Sequence, residues 1–257
     1  MAGEYHQQLH LKRNMKIVIG SDFEGMSHAA AEDVIGWLDR TAKPLLCLPS
    51  GKSPVAFLRR LREHYGRTRR LPEWYFVGLD EWIGVAQHES GSCRHFLDNH
   101  LFAHLGVPED RISFFDGMNP DIDAEARRAD AFVAAHKGID ICVLGIGTNG
   151  HLGLNEPGSL RDSPTRLVEL EASTIDAAQA YFSGPKAVRH GITLGLSTLM
   201  SSRTLVLLAS GEGKADIIRQ ALEGPVGPEV PGSFLQHHPD CVVYLDEAAA
   251  SRLQRRV

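Results

Sequence analysis

The chain has 257 residues, 43% hydrophobic and 23% charged, enough length and apolar content to bury a large core, and this excludes a disordered polar chain. With 27 basic against 32 acidic residues the formal charge is −5, so nothing draws the chain as a whole to nucleic acid or to an anionic membrane. Cys47, Cys93, Cys142 and Cys241 lie far apart and three of them sit in apolar runs, as core thiols of a reducing compartment do.

In chain order, residues 1–14 read as a polar N-terminal extension. They lack the apolar core of a signal peptide, and no later stretch approaches the ~20 apolar residues that span a bilayer, so the expected location is cytoplasmic. From residue 15 to 257 short apolar runs alternate with helical periodicity. Strands are predicted over residues 16–20, 44–48, 74–79, 139–145, 204–209 and 241–245. Helices are predicted over 26–38, 55–65, 91–105, 123–136 and 215–222. No repeat, low-complexity tract or long linker divides this stretch. The expectation is a single α/β domain, a doubly wound, mostly parallel sheet with helices on both faces. In such a sheet ligands bind beyond the carboxyl ends of the strands.

Four of those strand ends are rich in functional groups. After the run 44–48 comes Pro49, Ser50, Gly51, Lys52, Ser53 and Pro54. A glycine turn entering a helix, with two hydroxyls and a lysine, suits a phosphate dianion, although a capped helix start with an exposed lysine has the same spelling. It is not a Walker A loop, because the spacing is wrong. SGEGK, ending in Lys214, repeats the strand, glycine turn, helix order and could bring a second cation. Asp80 and Glu81 directly follow the strand 74–79, which places a carboxylate pair at the rim; a helix cap is the plainer use of such a pair.

The loop after residue 145 is the densest. It contains Gly145, Gly147, Asn149, Gly150, His151, Gly153, Asn155 and Glu156 before Pro157 and Gly158. The glycines let backbone close on a ligand, and His151 with Glu156 can form an imidazole–carboxylate pair whose basicity lies near neutrality. Residues 145–150 also spell G-x-G-x-x-G, but Gly153, Asn155, Pro157 and Gly158 do not continue it as a helix, so the dinucleotide reading fails for want of a helix N-terminus. His100 and His104 have i, i+4 spacing but no third ligand nearby in sequence, and read as surface or packing histidines. His237 and His238 read as loop residues. Trp74, Trp82, Phe114 and Phe115 read as core.

Taken together and in this order, LPSGKSP, GLDEW and GIGTNGHLGLNEPG resemble the glucosamine-6-phosphate deaminase/6-phosphogluconolactonase family, over residues 16–245. The N-E-P step at Asn155, Glu156 and Pro157 is similar to the deaminase branch. GHLGLNEPG, RHGITLGL, SGEGK and PGSFLQHH look closest to bacterial galactosamine-6-phosphate deaminase/isomerases. The resemblance implies a Rossmann-like sugar-phosphate isomerase fold and a small sugar phosphate as partner. It implies no cofactor and no metal, because the substrate's own carbonyl acidifies its C2 proton. It leaves the number of subunits open, a homo-oligomer included.

By the same resemblance His151 with Glu156 opens the pyranose ring, Asp80 carries the C2 proton to C1, and Asn149 supports the histidine. Ser50, Gly51, Lys52, Ser53, Gly147, Gly150 and Lys214 hold the substrate. Two departures stand out. Asn149 occupies a position where most glucosamine-6-phosphate deaminases have aspartate, and amide cannot accept a proton. The family's phosphate arginine has no secure counterpart, with Arg166 and Arg189 the nearest in sequence. Lactone hydrolysis, isomerisation of a nitrogen-free phosphosugar and non-catalytic sugar-phosphate sensing are the competing readings.

Overall fold

The computed structural model describes residues 7–11, 15–68 and 73–254. In chain order the elements are β1 (Gln7–Leu11), β2 (Met15–Gly20), α1 (Phe23–Leu38), β3 (Leu45–Leu48), α2 (Val55–Thr68), β4 (Tyr75–Gly78) and β5 (Asp80–Trp82). Then come α3 (Cys93–Leu97), which runs through a π-helical turn into α4 (Ala103–Leu105), β6 (Ile112–Ser113), α5 (Ile122–Ala135), β7 (Ile141–Leu144), β8 (Arg166–Glu169) and α6 (Ala172–Ala178). The last are β9 (His190–Thr193), α7 (Leu196–Leu199), β10 (Thr204–Ala209), α8 (Ala215–Glu223), β11 (Cys241–Asp246) and α9 (Glu247–Ala250).

Local sequence explains the main helices. Asp22 caps α1 by accepting from the Gly25 N–H at 2.8 Å, and Met26, Ala30, Val34 and Leu38 recur at helical spacing on its buried face. In α2 the large buried side chains are Phe57, Leu58, Leu61 and Tyr65. Burial of each large apolar side chain contributes about 1.5–3 kcal/mol. Asp121 caps α5 in the same way, at 2.8 Å from the Ala124 N–H.

The main sheet has the order β1-β2-β11-β10-β7-β3-β4-β6. Every pairing from β2 to β6 is parallel, and only β1 is antiparallel. Its central strands are buried on both faces. Cys47, Cys142, Leu207 and Val243 belong to one core cluster, while Leu46, Val143, Val206 and Tyr244 belong to the other, as the two-residue strand period requires. The doubly wound expectation therefore holds.

Three features depart from the sequence reading. Residues 7–11, read as part of a polar extension, pair with β2 and form the sheet edge, while residues 1–6 and 12–14 lie outside the described residues. The helix expected over 91–105 is interrupted by the π-helical turn Asp98–Phe102. A second, antiparallel sheet, β5-β9-β8, was not anticipated. Only Leu79 separates β4 from β5, and its carbonyl accepts from the Leu194 N–H at 2.9 Å. Asp80 is thus held in a paired strand, opposite Thr193, rather than on a free loop.

The winding decides where the site lies. From β3 the chain moves outward to β4 and β6; from β7 it moves the other way to β10 and β11. The direction reverses between the neighbours β3 and β7, so a crevice opens at their carboxyl ends.

Candidate active site

A cavity of about 260 Å³ occupies that crevice. Ser50, Lys52 and Ser53 reach it from the end of β3, Asp80 from β5, Gly147 and His151 from the end of β7, and Lys214 from the end of β10. Seven of the eleven residues expected at the site therefore line one cavity. Helix α6 and the turn after it supply the remaining wall, through Thr174 and Tyr181 among others.

The glycine turns shape the cation-bearing end. Gly51 has φ +106°, which lets the chain turn from β3 toward α2, and a Cβ there would come within 3.0 Å of the Tyr181 hydroxyl. Gly51 lines the adjoining cavity beside Tyr181 and not the main one. Lys214 follows the Gly211 turn, and its Nζ donates to the Ile146 carbonyl at 2.7 Å. Burial pushes its ammonium below the ordinary lysine value, a cost that a bound anion would relieve. Lys52 is exposed on the opposite lip. Neither arginine singled out from sequence contributes. Arg166 donates to Asn155 Oδ1 at 2.8 Å and Ser159 Oγ at 2.8 Å, tying the N-E-P turn to β8, and Arg189 is exposed outside the cavity. Among the described residues the cavity's permanent cations are lysines.

The two adjacent carboxylates have separate uses because side chains alternate along β5. Glu81 is fully buried and accepts four hydrogen bonds, from the N–H groups of Trp82, Cys93 and Arg94 and from Ser92 Oγ. It pins the first turn of α3 and does not line the cavity. Asp80 faces the cavity, is 8% exposed, and shares that wall with Cys93. Burial pushes its carboxyl up to about 6, against the thiol and the nearby His151, which both pull it down.

The histidine loop forms the facing wall. Gly147 lies against the imidazole, since a Cβ there would meet the ring at 2.4 Å. His151 Nδ1 is 3.3 Å from Glu156 Oε2 and 3.3 Å from Thr174 Oγ1, so Nε2 is the nitrogen left for the cavity. Glu156 stands behind the histidine. The Asn149 amide donates to its Oε2 at 2.7 Å, and the Glu171 N–H reaches Oε1 at 3.3 Å. Burial raises the Glu156 carboxyl, but His151, Thr174 and Asn149 together hold it below the ordinary value. Asn149 also accepts from the His151 backbone N–H at 3.2 Å, so it acts on Glu156 and the loop rather than on the imidazole. Gly150 does not line the cavity: it has φ +91°, and its carbonyl accepts from the Gly232 N–H at 2.8 Å. Its role is the turn.

Cys93, Thr174 and Tyr181 were missed from sequence. Each touches a predicted residue only through tertiary folding, and residues 171–182, which contain no arginine, supply a threonine and a tyrosine to the cavity. His100 and His104 each place a ring nitrogen 2.9 Å from a backbone carbonyl of the same helical segment, and His238 is buried against the Ser202 carbonyl. Trp74, Trp82, Phe114, Phe115 and all four free cysteines are buried, and no described helix is long and apolar enough to cross a membrane.

Comparison with known proteins supplies the family and the fold. The family model for glucosamine-6-phosphate isomerases/6-phosphogluconolactonase matches residues 21–244. A glucosamine-6-phosphate deaminase of Geobacillus sp. (strain WCH70) is 36% identical, over 92% of this chain and 95% of its own. Glucosamine-6-phosphate deaminase 2 of Bacillus subtilis (strain 168) is also 36% identical, over 93% and 98%. Among solved structures, a monomeric glucosamine-6-phosphate deaminase superposes with a TM-score of 0.88 at 30% identity, over 93% of this chain and 100% of that one. The 6-phosphogluconolactonase of Trypanosoma brucei shares the fold, with a TM-score of 0.74 at 20% identity over 95% of this chain and 100% of its own. With its cavity at the β3/β7 reversal, its buried aspartate and its histidine–glutamate pair, the chain belongs to the glucosamine-6-phosphate isomerase/6-phosphogluconolactonase family.

Proposed function

We propose that this protein is a deaminating isomerase of 2-amino-2-deoxyhexose 6-phosphates, converting galactosamine 6-phosphate or glucosamine 6-phosphate, with one water, to the ketohexose 6-phosphate and ammonia. The observation that carries this is Asp80: a carboxylate at the cavity wall, buried, with its proton affinity near neutrality and the His151–Glu156 pair close enough to influence it. The names of the relatives at 36% identity support the same reaction.

The steps rest on the groups present. His151, with Nδ1 held by Glu156, moves a proton from the anomeric hydroxyl to the ring oxygen, and the pyranose opens to a C1 aldehyde. The new carbonyl acidifies the C2 proton. Asp80 takes that proton, which leaves a cis-enolamine, and returns it to C1. A base that must also act as an acid works best with its pKa near the working pH, the range to which burial has brought Asp80. Water then adds to the C2 imine and ammonia leaves. Ser50, Lys52, Ser53 and Lys214 hold the phosphate, so that C1 and C2 meet Asp80.

Lactone hydrolysis needs no proton carried from C2 to C1, and so gives Asp80 no comparable use. Between the C4 epimers the reading leans to the galacto sugar, with tagatose 6-phosphate as product. Coupled detection of ammonia with both epimers tests the proposal. The expected result is ammonia in proportion to ketose phosphate. No ammonia from either sugar sinks it.

A further inference from the structure

The described residues around the main cavity include two lysines and no arginine, and one neutral donor among them has no use in the steps above. That donor is Tyr181. It lines the cavity together with Ser50, Lys52, Ser53 and Lys214, and it also lines the adjoining cavity of about 210 Å³, so it stands in the wall between the two. Its hydroxyl end is the part brought to the loop after β3. A Cβ built on Gly51 would lie 3.0 Å from Oη, 3.7 Å from Cζ and 3.9 Å from Cε1. Glycine at this position, with φ +106°, leaves room for that approach. Among the described residues the Tyr181 hydroxyl has no hydrogen-bond partner. The N–H groups of Gly51, Lys52 and Ser53, in the same turn, have no backbone acceptor among them either. Successive free N–H groups at a turn into a helix are where an anion binds, and the Tyr181 hydroxyl lies over that turn.

The placement of Tyr181 is built by its neighbours. Gln179 holds the backbone of Lys186 in both directions, its Nε2 donating to the carbonyl at 2.9 Å and its Oε1 accepting from the N–H at 3.1 Å. Phe182 packs on Gly91, where a Cβ would meet the ring at 2.2 Å, and lies edge-on to Trp82 with ring centroids 6.3 Å apart. Burial, then the nearby Cys93 and Asp80, raise the tyrosine hydroxyl above its ordinary value. At neutral pH it is therefore protonated, a donor that carries no charge.

We propose that Tyr181 is a phosphate ligand of this site: its hydroxyl, over the Gly51 turn, donates to a phosphate oxygen of the bound sugar. The assignment rests on the reading of this cavity as the site of a sugar phosphate. A hydroxyl suits a wall shared with Asp80, because it adds a donor without adding a positive charge, which would pull the aspartate carboxyl down. A tyrosine that only separated the two cavities would do so through its ring, and its hydroxyl would be dispensable.

The test is Tyr181→Phe, which keeps the ring and removes the donor. Inorganic phosphate is the first probe, titrated by calorimetry into the full-length wild type and the variant. Its Kd is expected to rise about 10-fold, the lower end for a hydrogen bond to a charged group, since Tyr181 is 38% exposed. The KM of the phosphosugar is expected to rise by a similar factor with kcat little changed. An unchanged phosphate Kd overturns the proposal, and so does a wild type that binds no inorganic phosphate or a loss confined to kcat. The two readings fail separately. If neither epimer yields ammonia while phosphate binding weakens in Tyr181→Phe, the deaminase reading falls and the assignment of Tyr181 stands. If ammonia forms while Tyr181→Phe binds phosphate as the wild type does, only the assignment of Tyr181 falls.

Discussion

Asp80 and Glu156 are both nearly closed to solvent, 8% and 6% exposed, one on the cavity wall and the other behind the histidine, yet their proton affinities move in opposite directions. Burial raises both, and raises Asp80 the more because protein encloses it more completely. On the β5 wall burial outweighs the neighbouring Cys93 thiol and His151, leaving the carboxyl at about 6. On the histidine-loop wall burial is outweighed by His151, Thr174 and Asn149, and Glu156 falls below its ordinary value. Two carboxylates driven apart by their surroundings take different roles. In the reaction proposed above Asp80 gains and loses a proton within one turnover, while Glu156 stays charged behind the histidine.

The largest expected effect is the removal of the poised member. General-base catalysis contributes about 10²–10⁴-fold, and Asp80→Asn should lower kcat for ammonia release by about 10³-fold or more with little change in KM. The same substitution should stabilise the fold. Asp80 has a folded pKa of about 6 against an ordinary 3.8, so the native state gains stability as pH falls from about 6 to about 4 and carries the full penalty above 6. That penalty is up to about 3 kcal/mol at pH 7, and asparagine removes it. Denaturant unfolding of both proteins at pH 7 and pH 4 should show a stabilised variant at pH 7 and a smaller difference at pH 4. Equal stability at pH 7 would break the comparison, because Asp80 would then not be held at a cost.

Lys214 tests whether the division is confined to chemistry. It lines the cavity from the end of β10, and its contact with the Ile146 carbonyl leaves two ammonium donors for a ligand. A charge-assisted bond is worth about 1.5–3 kcal/mol, so Lys214→Ala should raise KM roughly 10–100-fold while kcat changes only a few-fold. Steady-state kinetics with the preferred epimer checks this. A loss in kcat alone would place Lys214 with the reacting groups and redraw the comparison.

The legible parts of the molecule are those with a period. Strands buried on both faces leave runs such as TLVLLA, and capped amphipathic helices repeat every three to four residues, so the parallel sheet and its helices could be read before folding. The sheet β5-β9-β8 could not. Its strands have three or four residues and include Asp80, Glu81, Arg166 and Glu169, whose polarity hides any alternation. Loops after strands were legible for the same positional reason, and Ser50, Asp80, His151 and Lys214 do line the cavity. What stayed hidden is what those residues touch. Nothing near Cys93 or Thr174 in sequence points to Asp80 or His151, because α3 and α6 bring them there in three dimensions. Gly150 failed in the opposite way: the family resemblance placed it against the substrate, and the glycine is needed for its backbone angle.

The smallest effect expected, and the sharpest for the Glu156 wall, concerns Asn149. Its amide nitrogen sits 2.7 Å from Glu156 Oε2, and a nitrogen there donates to a carboxylate without adding charge. In Asn149→Asp two carboxyl oxygens meet at that separation, and like charges so close are held only by sharing a proton. The proton affinity of the pair should rise, Glu156 should no longer be fully ionised at neutrality, and His151 should lose part of its support. The rate at pH 7 should fall by less than about 10-fold, and the acid limb of kcat should move to higher pH, with recovery as the shared proton is lost at alkaline pH. The pH–kcat profile, measured with both C4 epimers, checks the shift, and the ratio of activities on the two sugars is expected to change. A profile identical to that of the wild type would mean that Asn149 does not act through Glu156. The low proton affinity of that wall would then have to come from His151 and Thr174 alone.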